Sequence, residues 1–214
     1  MRVAPIAQEL YEASTLGNTE EAKRLIEIKA AVDWQIPDGD DEGETALWVA
    51  SWKGNTDTAR LLIESKAAVD KAQKDGATPL YIASGNGKTD TVRLLIESKA
   101  AVDKAGNNGD TPLIIAAYCN HMTTVRALAE SGADTTIRGD ENKTAAEWAK
   151  QNGFDPIAEY LDTVRFQPSA RNERGELYNV QGRAKRAATR DLVDIAGFDR
   201  DMMGLLNQFC TGKR

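Results

Sequence analysis

Apolar positions along this chain fall in short stripes of helical spacing, separated by polar turns. Val92, Leu95 and Ile96 stand at i, i+3 and i+4, which puts them on one face of a helix running from Thr91 to Glu97. Leu61, Leu62 and Ile63 repeat that stripe in the preceding segment, and the pattern predicts matching helices over Thr58 to Glu64 and Thr124 to Glu130. Ahead of each stripe the sequence predicts another short helix. Thr78-Pro79 and Thr111-Pro112 set a capping hydroxyl before a proline whose missing N–H costs nothing in a first turn. Gly54 and Gly87 end these first helices, because a left-handed residue is cheapest as glycine, and Asn120 takes the same place as the next best choice.

The helix pairs recur with a period of 33 residues, marked by Gly43-Glu44-Thr45-Ala46-Leu47, Gly76-Ala77-Thr78-Pro79-Leu80 and Gly109-Asp110-Thr111-Pro112-Leu113. Ala50, Ala83 and Ala116 each follow the threonine at the same distance. A fourth copy, led by Thr144, keeps Ala149 but loses the proline and leucine. An opening copy aligns Leu10, Ala13 and Gly17 with Leu47, Ala50 and Gly54 at an offset of 37, and the extra residues fall in a lengthened turn, Pro37-Asp38-Gly39-Asp40. Pairs this short cannot bury an apolar face alone and must stack on their neighbours.

The pattern Gly-x-Thr-Pro-Leu-x-x-Ala, closed by Gly132-Ala133-Asp134, resembles the ankyrin repeat family over residues 5–165. The resemblance implies an all-α solenoid of stacked helix-turn-helix units with hairpin-like connecting loops. Its units are expected at 5–39, 40–72, 73–105, 106–138 and 139–165 within a domain spanning 1–165. One departure matters: Lys29, Lys66 and Lys99 stand where the family places the glycine that ends the second helix. A lysine held in left-handed geometry costs about 1 kcal/mol relative to glycine. Either those helices end differently, or stacking absorbs the strain.

Composition sharpens the picture. Hydrophobic residues make up 41% and charged residues 28%, a balance suited to a soluble intracellular protein, cytoplasmic or nuclear. No apolar run is long enough to span a bilayer, Met1 to Glu12 lacks the apolar centre of a signal peptide, and two cysteines are too few for a disulfide framework. The net charge of −6 conceals a split. Residues 1–165 carry 18 Lys and Arg against 27 Asp and Glu, a balance of −9, while 166–214 carry 9 against 6, a balance of +3. An acidic repeat domain is a poor partner for nucleic acid and a plausible one for a basic protein segment.

Apparent catalytic signals dissolve into scaffold. Gly85-Asn86-Gly87-Lys88-Thr89 resembles the end of a phosphate loop, but such a loop needs a glycine where Ile82 stands, and the repeat already explains the segment as a turn. His121, the lone histidine, reads as a surface turn residue; with Cys119 it has no third group to orient it as a base. One histidine and two cysteines do not assemble a structural zinc site. No enzyme, metal or cofactor is expected.

What remains is surface. By resemblance, partners bind at the hairpin tips and on the groove-facing side of the first helices. Mapped onto this sequence, the tips include Glu44, Asp75 and Asp110, and the groove includes Trp52 and Lys53, Asn86, Tyr118 and Cys119. Trp48 and Tyr81 stand nearby, either as part of an aromatic contact surface ringed by carboxylates or as fillers between helices; Trp148 reads as core. A monomer holding a protein partner as adaptor or scaffold follows, the alternative being a regulatory inhibitor that blocks an enzyme or transcription factor with its acidic face. Beyond Phe166 the pattern stops: Gln167 to Gly182 reads as an irregular connection, and Arg183 to Ala196 and Asp199 to Phe209 as two short amphipathic helices that either cap the stack or fold on a partner.

Overall fold

The computed structural model describes residues 3–37, 42–165, 170–171 and 177–178. Ten α-helices in five helix-turn-helix pairs account for most of them: α1 (Val3–Leu16) with α2 (Thr19–Glu27), α3 (Ala46–Lys53) with α4 (Thr56–Glu64), α5 (Pro79–Gly85) with α6 (Thr89–Glu97), α7 (Pro112–Tyr118) with α8 (Met122–Glu130), and α9 (Ala145–Gln151) with α10 (Asp155–Arg165). The first helices pack in sequence, α1 on α3, α3 on α5, α5 on α7 and α7 on α9. The second helices form a parallel row, α2 on α4, α4 on α6, α6 on α8 and α8 on α10. This is the stacked solenoid expected. Within the stretch read as irregular, β1 (Ala170–Arg171) pairs antiparallel with β2 (Leu177–Tyr178). The helices expected after Arg183 and most of the lengthened turn at Pro37-Asp38-Gly39-Asp40 lie outside the described residues.

Local chemistry sets the first helices. The hydroxyls of Thr45, Thr78, Thr111 and Thr144 accept from the backbone N–H groups of Trp48 (3.1 Å), Tyr81 (3.1 Å), Ile114 (3.3 Å) and Glu147 (3.3 Å), satisfying donors that a helix start otherwise leaves orphaned. The second helices begin at Thr56, Thr89 and Met122, two residues before the positions expected from sequence. Their caps, Asn55, Lys88 and His121, form no side-chain capping bond and so leave no cap signature to read.

Leu10, Leu47, Leu80 and Leu113, each fully buried, run through the stack from the first helices, and Leu25, Leu62, Leu95 and Leu128 run through it from the second. Polar ladders cross the first three joints between pairs. Thr19 with Thr58 (2.8 Å), Thr56 with Thr91 (2.8 Å) and Thr89 with Thr124 (2.9 Å) share hydroxyl bonds along the second-helix row. Asp33, Asp70 and Asp103 accept from the backbone N–H of Ala68 (2.8 Å), Ala101 (3.0 Å) and Asp134 (3.0 Å) in the following unit.

The second helices end in left-handed residues, with φ of 70° at Lys29, 71° at Lys66, 71° at Lys99 and 94° at Gly132. Each end is a closed double-bonded cap. Lys66 N–H donates to Ile63 O (2.9 Å) and Ala67 N–H to Leu62 O (3.0 Å), and the same pair of bonds recurs at Lys29, Lys99 and Gly132. The lysines therefore accept the strain and the helices end as they would with glycine. Burial of Ala30, Ala67 and Ala100 just after the lysines supplies the apolar contact that holds the cap shut.

Candidate functional site

Trp52, Gly85 and Tyr118 occupy one register position in successive first helices, each 33 residues from the next. Trp52 is 37% exposed and Tyr118 46%, and Gly85 between them has no side chain to project. A Cβ placed there would meet Ile115 Cγ1 at 3.1 Å, so the floor between the two aromatics is Gly85 backed by Ile115. Leu16, the most exposed of the large apolar residues described at 81%, ends α1 one position on, in register with Lys53, Asn86 and Cys119.

Both exposed rings lean on buried tryptophans. Trp48 and Trp52 are tilted at 51° with centroids 6.0 Å apart, and the Trp48 indole N–H donates to Ala77 O (3.0 Å). Tyr118 meets Trp148 edge-on, at 88° and 5.1 Å. An exposed ring seated on a buried one has few alternative rotamers, so its apolar surface is presented at low entropic cost.

Three residues placed on the contact surface by sequence lie inside it. Trp48 is 5% exposed because α5's unit closes over it and its N–H finds the Ala77 carbonyl, so the filler reading holds for this residue. Glu44 is buried at the joint with the first unit, where it accepts from Tyr11 Oη (2.5 Å) and from Gln73 Nε2 (3.4 Å). Asp110 is buried as a joint between tips: it accepts from Asp140 N–H (2.9 Å) and Asn108 Nδ2 (2.7 Å). Burial raises its carboxyl pKa. Tyr81 and Cys119 are half-buried, and burial pushes both pKa values up. Lys53, Asn86 and Asp75 are exposed, and Asp75 Oδ1 accepts from Ala77 N–H (2.9 Å). Trp148, expected in the core, is buried.

The two ends of the first helices differ in charge. At the tips three carboxylates have cations: Glu42 pairs with Lys74 (2.6 Å), Glu141 with Lys143, and Glu147 with Arg138 through two bonds of 2.8 and 2.9 Å. Glu147 also accepts from Thr144 N–H, and this bond, then Arg138, lowers its pKa. At the opposite end, Lys53 Nζ sits 3.7 Å over the Trp52 ring and the Lys88 stem runs along Gly54. Neither lysine is ion-paired among the described residues. The ring of carboxylates expected around the aromatics is thus at the tips, where three are paired with cations and Asp75 and Asp140 accept from backbone N–H groups, while cations border Trp52. Sequence reasoning gave Lys88 to the turn and missed this role, for which its offset of one period from Asn55 and His121 was the available signal.

His121 is half-buried and joins two units. Its Nε2 lies 3.0 Å from Gly85 O, and because a carbonyl only accepts, this nitrogen carries the proton. Asn55 makes the corresponding bond, donating to Thr15 O (3.1 Å), and a second one to Ser14 O (2.8 Å). A depression of about 300 Å³ between turns, lined by residues including Gly17, Thr19, Asn55 and Asp57, is polar and open. Among the described residues no group of three or more His, Cys, Asp or Glu is placed to hold a metal, and no helix is long and apolar enough to cross a membrane.

A family model described as ankyrin repeats matches the chain in three copies, at residues 9–73, 65–139 and 106–170. No curated protein matches it.

Proposed function

From the premise that the chain belongs to the ankyrin repeat family, whose members are generally protein–protein interaction modules, we propose that it is a non-catalytic adaptor holding a protein partner on its first-helix face. The observation that carries this reading is the pair of exposed rings, Trp52 and Tyr118, which share one register and are each seated on a buried tryptophan. Aromatics held in one rotamer on a rigid helix row are the residues that dominate interface energetics. We assign residues 1–165 as the binding domain, with each helix pair as one unit and the contact made by Trp52, Lys53, Tyr81, Asn86, Tyr118 and Cys119. Asp75 adds a contact at the tips.

An adaptor is favoured over an inhibitor that works through free carboxylates, because Glu42, Glu141 and Glu147 are already paired with cations. Capture from a cell lysate by the full chain, set beside capture by the Trp52→Ala, Tyr118→Ala double variant, tests the reading. Loss of specific proteins with an unchanged circular dichroism spectrum is expected; identical captured sets would remove the face from consideration.

A further inference from the structure

Net charge alone points to a basic partner, yet the charges that border the exposed rings point the other way. Lys53 caps the Trp52 face at 3.7 Å, and the Lys88 stem lies against Gly54, the residue that follows Lys53. Among the described residues both ammonium groups lack a carboxylate within pairing distance. Between Trp52 and Tyr118 the chain places Gly85, the one first helix of the three with no side chain in that register. An apolar side chain from outside can therefore lie over Gly85 and Ile115 with a ring on either hand.

We infer that the partner is an acidic peptide segment in which an apolar side chain is flanked by carboxylates, the apolar group lying over Gly85 and the carboxylates reaching Lys53 and Lys88. The inference rests on the protein-binding reading above and deepens it. A cation brought to this place would meet two unneutralised lysines, and one of the ring faces it could use is already covered by Lys53. A carboxylate meets two free donors at the rim of an apolar surface, where charge-assisted bonds are stronger than in bulk water. Like-charge rejection of a basic segment then adds specificity to the attraction for an acidic one.

Selection of displayed random short linear peptides on the full chain tests this directly. The expected consensus is one or two large apolar residues next to Asp or Glu. Synthetic peptides of that consensus should lose roughly a thousandfold in affinity on the Trp52→Ala, Tyr118→Ala variant, as removal of two interface anchors does. Lys53→Glu with Lys88→Glu should invert the choice, favouring the same apolar core with Lys flanks, and added salt should weaken binding to the wild type. Gly85→Leu, which fills the gap between the rings without touching either charge, should abolish binding while circular dichroism shows the fold intact.

The failures are distinguishable. A basic consensus that still depends on Trp52 and Tyr118 overturns the acidic partner and leaves the face as the binding site. Peptides indifferent to both aromatics, or no selected peptide at all, overturn the face itself. Self-association of the chain that disappears in Tyr118→Ala would give the gap to a second copy and overturn the inference.

Discussion

The two ends of the first-helix row are built from the same repeat and yet do opposite things with charge and aromatic surface. At the tips, carboxylates are spent on neighbours: Glu44 on Tyr11 and Gln73, Asp110 on Asp140 and Asn108, Glu42 on Lys74. At the other end, Trp52, Tyr118, Lys53 and Lys88 face solvent wholly or in part, and the lysines have no ionic partner among the described residues. A net charge of −6 therefore says little about the field at a given face. What counts is which charges the joints between units have already consumed.

Trp48→Ala has the largest expected effect, because it removes the buried ring under Trp52 and takes one of two donors from the Ala77 carbonyl, which keeps the Gln73 N–H. A loss of about 3–5 kcal/mol in stability is expected from urea unfolding followed by circular dichroism. A loss below about 1 kcal/mol would mean that Trp48 is not a core residue and that the two ends are less different than described.

Tyr118→Ala acts at the surface. It should cost about 2 kcal/mol of partner affinity by fluorescence anisotropy, and less than about 1 kcal/mol of stability. Equal losses in both measurements would make the ring a packing element.

The second-helix ends supply a reference remote from both regions. Lys66→Gly and Lys99→Gly should each stabilise the fold by about 1 kcal/mol, since glycine enters the left-handed region without the Cβ penalty and the capping bonds stay in place. Unchanged or lowered unfolding midpoints would show that the lysine stems contribute packing that offsets the strain.

Lys74→Met breaks the exposed Glu42 pair at the tips. It should alter stability by less than about 1 kcal/mol and leave peptide affinity unaltered, sharpening the contrast with Lys53→Met, which should weaken binding. The smallest effect is at Asp110, whose carboxyl pKa burial raises above the ordinary aspartate value of 3.8. The folded chain takes up this proton at higher pH than the unfolded chain, so between the raised value and 3.8 acidification favours folding at this site. Wild type should therefore gain stability relative to Asp110→Asn as pH falls through that window. Urea midpoints that move in parallel would contradict the assignment.

Local signals carried most of the fold in the sequence. A threonine hydroxyl needs only its own next turn to cap a helix, so Thr78 and Thr111 announced the first helices, and Gly54, Gly87 and Asn120 their ends. The second-helix starts were displaced because Asn55, Lys88 and His121 spend their side chains on the preceding unit rather than on their own helix. The same non-local chemistry hid the interiors of the tips: nothing in the residues around Glu44 or Asp110 tells that a neighbouring unit will close over them. Exposure of Trp52 and Tyr118 was legible, because the repeat leaves that register variable. The lysine border was not, since it needs Lys88 laid against Gly54 from the next unit.

The ladders across the joints have a consequence for how such a chain changes length. Asp33, Asp70 and Asp103 make one bond, repeated, and Thr56 with Thr91 makes the same bond as Thr89 with Thr124. A chain from which residues 73–105 were excised would bring Asp70 to Asp134 and Thr56 to Thr124, with every donor again facing an acceptor of the same kind. The joint is thus interchangeable, like a common thread on pipes of different lengths, so whole periods can be gained or lost without redesigning the seam. Removing that one period would also delete Gly85 and set Trp52 and Tyr118 on adjacent helices, so the spacing between the rings is the property that an excision would rewrite.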